Sequence, residues 1–132
     1  MLSLRKMKKF TSETQKVGQL GEDIAVRFLM KHGYEIVDRN FTQKCGELDI
    51  VARNKGRIHF VEVKTVSREN FSYRPEENVS PRKLKRMARA IQIYMAQKRV
   101  SPETDWQTDV ITVILNQINK TAKVDVLENI II

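Results

Sequence analysis

The sequence predicts an α/β domain in which one mixed β-sheet is flanked by helices. Three observations predict it. Apolar residues recur at helical spacing in two separate stretches, 17–29 and 84–95. Two β-branched segments, 48–53 and 57–66, flank the turn Asn54-Lys55-Gly56. Two further strand-like runs follow the second helical stretch. Helix, three strands, helix, two strands is most economically assembled as a sheet of about five strands with helices packed on it.

The first helix has N-cap oxygens on offer from Thr11, Ser12 and Thr14. Val17, Leu20, Ile24, Ala25, Phe28 and Leu29 follow at spacings of three and four, forming one apolar stripe. Gly33, after His32, is a C-terminal stop. Tyr34 to Asp38 reads as a short strand. Leu48 to Arg53 and Arg57 to Val66 alternate and are joined by turn residues, so they predict a hairpin. Residues 67–79 are polar, contain Pro75 and have no clear period, which reads as a loop.

Ser80-Pro81 is an N-cap followed by proline at the first helical position. Leu84, Met87, Ala88, Ile91, Tyr94 and Met95 then keep helical spacing to about Lys98. After a loop at Ser101–Asp105, Trp106–Leu115 and Lys123–Leu127 read as the last two strands. There is no repeat and no linker to a second domain. Residues 1–11 read as a flexible basic arm, with Arg5, Lys6, Lys8 and Lys9, and residues 12–132 as a single domain.

At 132 residues the chain is long enough for one ordinary core. No apolar run approaches the roughly 20 residues needed to cross a bilayer. No apolar segment follows the basic N-terminus as a secretory signal requires, so the expected location is the cytoplasm, with no membrane partner. Cys45 is the only cysteine and His32 and His59 the only histidines, which excludes an intrachain disulfide and argues against a thiolate or imidazole metal site. A metal here would take oxygen ligands, which suits Mg2+ or Mn2+. Twenty-four Lys and Arg against sixteen Asp and Glu leave a net charge of +8. Such a surplus points to a polyanion as partner, through phosphate contacts.

The strand Ile58-His59-Phe60-Val61-Glu62-Val63-Lys64 concentrates the chemistry. Alternation puts Phe60, Glu62 and Lys64 on one face and Val61 and Val63 on the other. A carboxylate and an ammonium in an apolar strand are costly to bury without partners. Asp49, on the preceding strand and bracketed by Leu48 and Ile50, is the natural one. Two carboxylates from adjacent strands can hold a divalent ion, which polarises a phosphodiester and acidifies a bound water. The lysine then orients or deprotonates that water, or offsets charge growing on the phosphate. The plainer alternative is a surface ion pair between Glu62 and Lys64, with Asp49 a turn residue.

Gly46-Glu47-Leu48-Asp49-Ile50-Val51 followed by Phe60-Val61-Glu62-Val63-Lys64-Thr65 resembles the core of the PD-(D/E)xK nuclease superfamily. More closely, the chain resembles the YraN-like family of predicted endonucleases, a group similar to archaeal Holliday-junction resolvases. The likeness includes Gly18 to Phe28, Arg39-Asn40, Lys83 to Tyr94 and Asp109-Val110, and covers most of residues 17–127. It implies a restriction-endonuclease-like three-layer fold, with Asp49 and Glu62 as metal ligands and Lys64 as catalytic lysine. It also implies that Glu22 on the first helix contributes to the site. On a helical wheel Glu22 falls with Ala25 and Leu29 at the edge of the apolar stripe, although Glu22 and Asp23 also fit as solvated charges. Two positions depart from the pattern. Leu48 stands where the superfamily's name has proline, and Thr65-Val66 stands where close relatives have Thr-Arg, removing one phosphate contact.

Arg82, Lys83, Lys85, Arg86 and Arg89 crowd the first turns of the second helix. They form either a phosphate-binding ridge or the wet face of an amphipathic helix. Lys83 matches a lysine of the resembled pattern, which favours function there. Gln92 is a looser carry-over as a supporting residue. Phe71 and Tyr73 read as loop packing or as base-stacking residues, and Trp106 as a core or sheet residue. Cys45 and His59 show no partner and receive no role.

Two functions follow. The first is a Mg2+- or Mn2+-dependent nuclease acting on DNA, with structured or branched DNA suggested by the resemblance. The second is a nucleic-acid-binding module of the same fold that cleaves nothing alone. The residues do not separate DNA from RNA. The resemblance to dimeric resolvases allows a homodimer, with no interface legible.

Overall fold

A computed structural model describes residues 13–67, 80–130 and 132 of the chain. The basic arm at 1–11, the caps Thr11 and Ser12, and the loop residues Phe71 and Tyr73 lie outside the described residues. The elements follow the predicted order: α1 (Glu13–Lys31), β1 (Glu35–Gln43), β2 (Gly46–Asn54), β3 (Arg57–Ser67), α2 (Pro81–Gln97), β4 (Trp106–Asn116) and β5 (Thr121–Leu127). They build a mixed five-stranded sheet in the order β1-β2-β3-β4-β5, parallel only between β3 and β4. Among the described residues, no helix is long and apolar enough to cross a membrane.

The two helices cover opposite faces, which makes three layers. Ala25 and Leu29 of α1 pack on Ile50, Ala52, Val61, Ile111, Val113 and Leu115. Met87, Ala90, Ile91 and Tyr94 of α2 pack on Leu48, Val51, Ile58 and Phe60. Each sheet face is therefore apolar and the central strands are buried on both sides, as the continuous apolar runs of β3 and β4 require.

Local chemistry sets the element ends. Gly33 (φ 89°) closes α1 with Tyr34 N–H donating to Leu29 O and Gly33 N–H to Met30 O, the Schellman pattern. Lys55 (φ 52°) and Gly56 (φ 77°) both occupy the left-handed region that a tight two-residue hairpin turn demands. Ser80 Oγ accepts from Lys83 N–H at 3.1 Å, capping α2, with Pro81 next in sequence.

β1 runs to Gln43, well past the expected end at Asp38. Its second half, Arg39-Asn40-Phe41-Thr42-Gln43, is mostly polar because it is an edge, so its pairing with β2 left no apolar period to read. Asn40 (φ 54°) also breaks the alternation. Arg39 reaches toward α1, yet Phe41, two residues on, packs edge-to-face on Tyr94 of α2. Opposite, Ile50 belongs to the α1 core and Leu48 to the α2 core. Asp49 lies between them, where the side chains of the sheet change faces.

Candidate functional site

The β2–β3 ladder runs from Asn54↔Arg57 to Ile50↔Val61 and stops there. Beyond it, the two strands would have paired Asp49 with Glu62. Instead the Asp49 carboxylate accepts the Val63 N–H at 2.8 Å, replacing a ladder carbonyl. β3 continues to Ser67, hydrogen-bonded on its other side to β4. The sheet thus opens at the two carboxylates, and the opening is lined with chemistry rather than with paired backbone.

Asp49 and Glu62 are close enough that each opposes the other's charge. Burial first, and the negative charge of Glu62 second, push the Asp49 carboxyl up to about 7 from its ordinary 3.8; the Val63 N–H pulls the other way. Glu62 has a resident cation: Lys83 Nζ on α2 lies 2.6 Å from its Oε1. Lys64 is half-buried beside them and makes no ion pair among the described residues.

A cleft of about 360 Å³ is lined by Val17, Gly18, Glu22, Asp49, Val63, Lys64, Thr65 and Lys83. It brings Glu22 of α1 together with Asp49 and Lys64, as the helical wheel allowed. α1 can approach because residue 21 is glycine: a Cβ there would fall onto Thr65 Oγ1 and lie 2.8 Å from Thr65 Cβ. Glu22 is not a lone carboxylate, however. Its Oε1 accepts from Arg39 Nη2 at 2.9 Å, Arg39 Nε at 3.2 Å and Asn40 Nδ2 at 3.1 Å. Arg39 also binds Asp23 at 2.9 Å, so one guanidinium ties β1 to both acids of α1.

A smaller recess next to the cleft is lined by Glu47, Glu62, Lys83, Arg86 and Met87. Gly46 allows α2 this close, since a Cβ there would sit 2.7 Å from Arg86 O. Arg82, Lys85, Arg86 and Arg89 are exposed along α2, while Lys83 is turned inward to Glu62. Gln92 is exposed and does not line the cleft.

The absence of a partner for His59 is corrected by the structure. His59 is buried and its Nδ1 lies 2.8 Å from Asp109 Oδ2. Asp109 also accepts from Gln107 Nε2 at 2.8 Å and from Asn129 N–H at 2.9 Å. The pair joins parallel strands through residues 50 apart, so no local spacing announces it. Its only sequence signal was a histidine inside an apolar strand. Cys45 is half-buried with a free thiol, and its carbonyl accepts from Arg86 Nε at 3.4 Å. Trp106 opens β4 with its ring edge-on to Phe60 at 5.7 Å.

Among the described residues, no three Asp, Glu, His or Cys side chains converge on one point. The carboxylate pair nevertheless fits a hard divalent ion. All its donors are oxygen, and the raised Asp49 carboxyl reflects burial first and the Glu62 charge second, both of which a cation would offset. Mg2+ is commonly held by only one or two carboxylates, with waters and substrate phosphates completing its shell.

Comparison with known proteins covers the acids and lysines of the cleft and recess. Residues 21–113 match a family described as the uncharacterised protein family UPF0102. A UPF0102 protein of Clostridium botulinum (strain Hall) is 39% identical over 114 residues, spanning 86% of this chain and 91% of the relative. A UPF0102 protein of Helicobacter pylori (strain HPAG1) is 42% identical over 113 residues, 86% of this chain and 89% of the relative. With Glu22, Asp49, Glu62, Lys64 and the basic turns of α2 all inside the matched range, the chain belongs to the UPF0102 family, the YraN-like group its motifs resemble.

Proposed function

We propose that this protein is a Mg2+- or Mn2+-dependent nuclease that hydrolyses phosphodiester bonds in DNA, with structured or branched DNA as the substrate class. The observation that carries the reading is the opening of the sheet at Asp49 and Glu62. Asp49 in the cleft, with Lys64 alongside, and Glu62 in the adjoining recess are near enough for their charges to repel. A merely structural role gives no reason to pay for that repulsion.

Asp49 and Glu62 would hold the metal, which when bound supplies charge for the phosphate and a more acidic water. The protein's own groups do the rest. Val63 N–H fixes the Asp49 carboxylate in place. Lys64, outside any ion pair among the described residues, orients the attacking water and offsets negative charge growing on the phosphate. Arg39 and Asn40 keep Glu22 at the cleft wall. Arg82, Lys85, Arg86 and Arg89 bind backbone phosphates, without reading sequence.

The test is cleavage of a labelled panel of linear duplex, single strand, flap and four-way junction, each with Mg2+, Mn2+ or chelator. Metal-dependent cutting by the wild type that vanishes in Glu62→Ala, Lys64→Ala is the expected result. One observation favours a second reading, a nucleic-acid-binding module without cleavage: Glu62 already has Lys83 as its counter-ion. Binding of the panel with steep salt dependence, no metal requirement and no cutting would put that reading first.

A further inference from the structure

The ion pair between Lys83 and Glu62 stands at the boundary of two spaces. Lys83 lines the cleft with Glu22, Asp49 and Lys64, and also the recess with Glu47, Glu62 and Arg86. Its Nζ is 2.6 Å from Glu62 Oε1, and its side chain is 39% exposed against 14% for Glu62. Its backbone is fixed, because Lys83 N–H donates to the capping Ser80 Oγ at the start of α2. The stem is free to swing, with four rotatable carbons and a compact ammonium at the end. Among the described residues neither Lys64 nor Asp49 is in an ion pair, and Lys83 is the cation in contact with the carboxylate pair.

We infer that Lys83 is a resident counter-cation of Glu62, which a divalent metal must displace and which then turns into the cleft to meet the substrate phosphate. This rests on the metal-dependent reading above and goes beyond it by making one lysine a determinant of metal affinity. The physical reason is exclusion. A divalent metal held by a Glu62 oxygen and an ammonium in contact with that same oxygen would be like charges competing for one site. Glu62 is then neutralised without metal, and the metal affinity of the site is held down until a phosphate offers Lys83 an alternative partner. Lys83 is a positioning residue in this scheme. Coupling of this kind is reciprocal: phosphate raises metal affinity by the factor that metal raises phosphate affinity.

The experiment is Mn2+ binding by calorimetry to the full chain and its variants, without nucleic acid. Lys83→Met, which keeps the stem and loses the charge, is expected to bind Mn2+ roughly three- to tenfold more tightly than wild type. Lys31→Met removes an exposed charge from the last turn of α1, which lines neither the cleft nor the recess, and is expected to change affinity by less than about twofold. In a Glu62→Gln background, Lys83→Met is expected to give no further gain, because the pair is already broken. In the wild type, nitrogen NMR of the lysine ammonium groups is expected to show the Lys83 signal shifting on addition of Mg2+, a readout that does not depend on any variant folding. Unchanged or weaker Mn2+ binding by Lys83→Met, or a Lys83 signal that ignores bound Mg2+, overturns the displacement while leaving the metal site standing. Failure of every protein to bind Mn2+ overturns the metal-dependent reading and this inference together.

Discussion

Burial and the neighbouring Glu62 push the Asp49 carboxyl up to about 7 from 3.8, and that shift has a stability consequence with a definite sign. The folded state holds the proton more tightly than the unfolded chain. Its contribution is therefore fully present below about pH 4 and is lost as the pH rises through about 7. In chelator, the wild type is expected to lose stability across that window, by on the order of a few kcal/mol. Asp49→Asn keeps an oxygen for Val63 N–H but cannot ionise, so it is expected to flatten the profile and exceed wild-type stability at pH 8. Urea denaturation at pH 5 and pH 8 measures this. Calorimetry on the same variant is expected to show lost Mn2+ affinity, and retained affinity would remove Asp49 from the ligand set. The His59–Asp109 pair makes a contrasting expectation. Asp109→Ala strands a buried imidazole and the Asn129 N–H, and is expected to destabilise by about 3 kcal/mol without altering Mn2+ affinity.

Elements, rather than single residues, set the spacing across the cleft. α1 sits against β3 at Gly21 and Thr65, and Glu22 follows directly in sequence. Gly21→Ala puts a methyl group onto Thr65 and forces the helix outward. The expected cost is about 1–3 kcal/mol, together with loss of cleavage, since Glu22 moves away from Asp49 and Lys64. Thermal denaturation and the cleavage panel check both, and a Gly21→Ala protein as stable and active as wild type would show the helix free to move. The helices themselves were legible, because caps and apolar periods are local. Ser80-Pro81 and Gly33 did what their chemistry predicts. β1 was seen only in its first half. An edge strand pairs through its backbone, and Asn40 reverses its side-chain faces, so its second half carried no period to read.

For the whole molecule, four of the cations behind the net charge of +8 lie together on one helix. Arg82, Lys85, Arg86 and Arg89 are exposed along α2, and Arg86 lines the recess beside the cleft. Replacing Arg82, Lys85 and Arg89 with alanine is expected to weaken duplex binding for all sequences alike. The dependence of log affinity on log salt should become shallower by about 0.9 for each phosphate that the variant no longer neutralises. A triple variant with an unchanged salt slope would assign these cations to solvent.

The sequence by itself determined the order of elements, the hairpin turn and the candidate acids and lysine. Each is written in neighbouring residues, through caps, turn chemistry, side-chain period or a motif such as Phe60 to Thr65. Only the tertiary structure decided what those groups touch. The ladder that stops before Asp49, the Lys83 partner of Glu62, the Arg39 clamp on Glu22 and the His59–Asp109 pair all join residues distant in the chain. The charge state of Asp49 belongs with them. It depends on burial and on a carboxylate from another strand, and neither exists until the sheet has closed around the site.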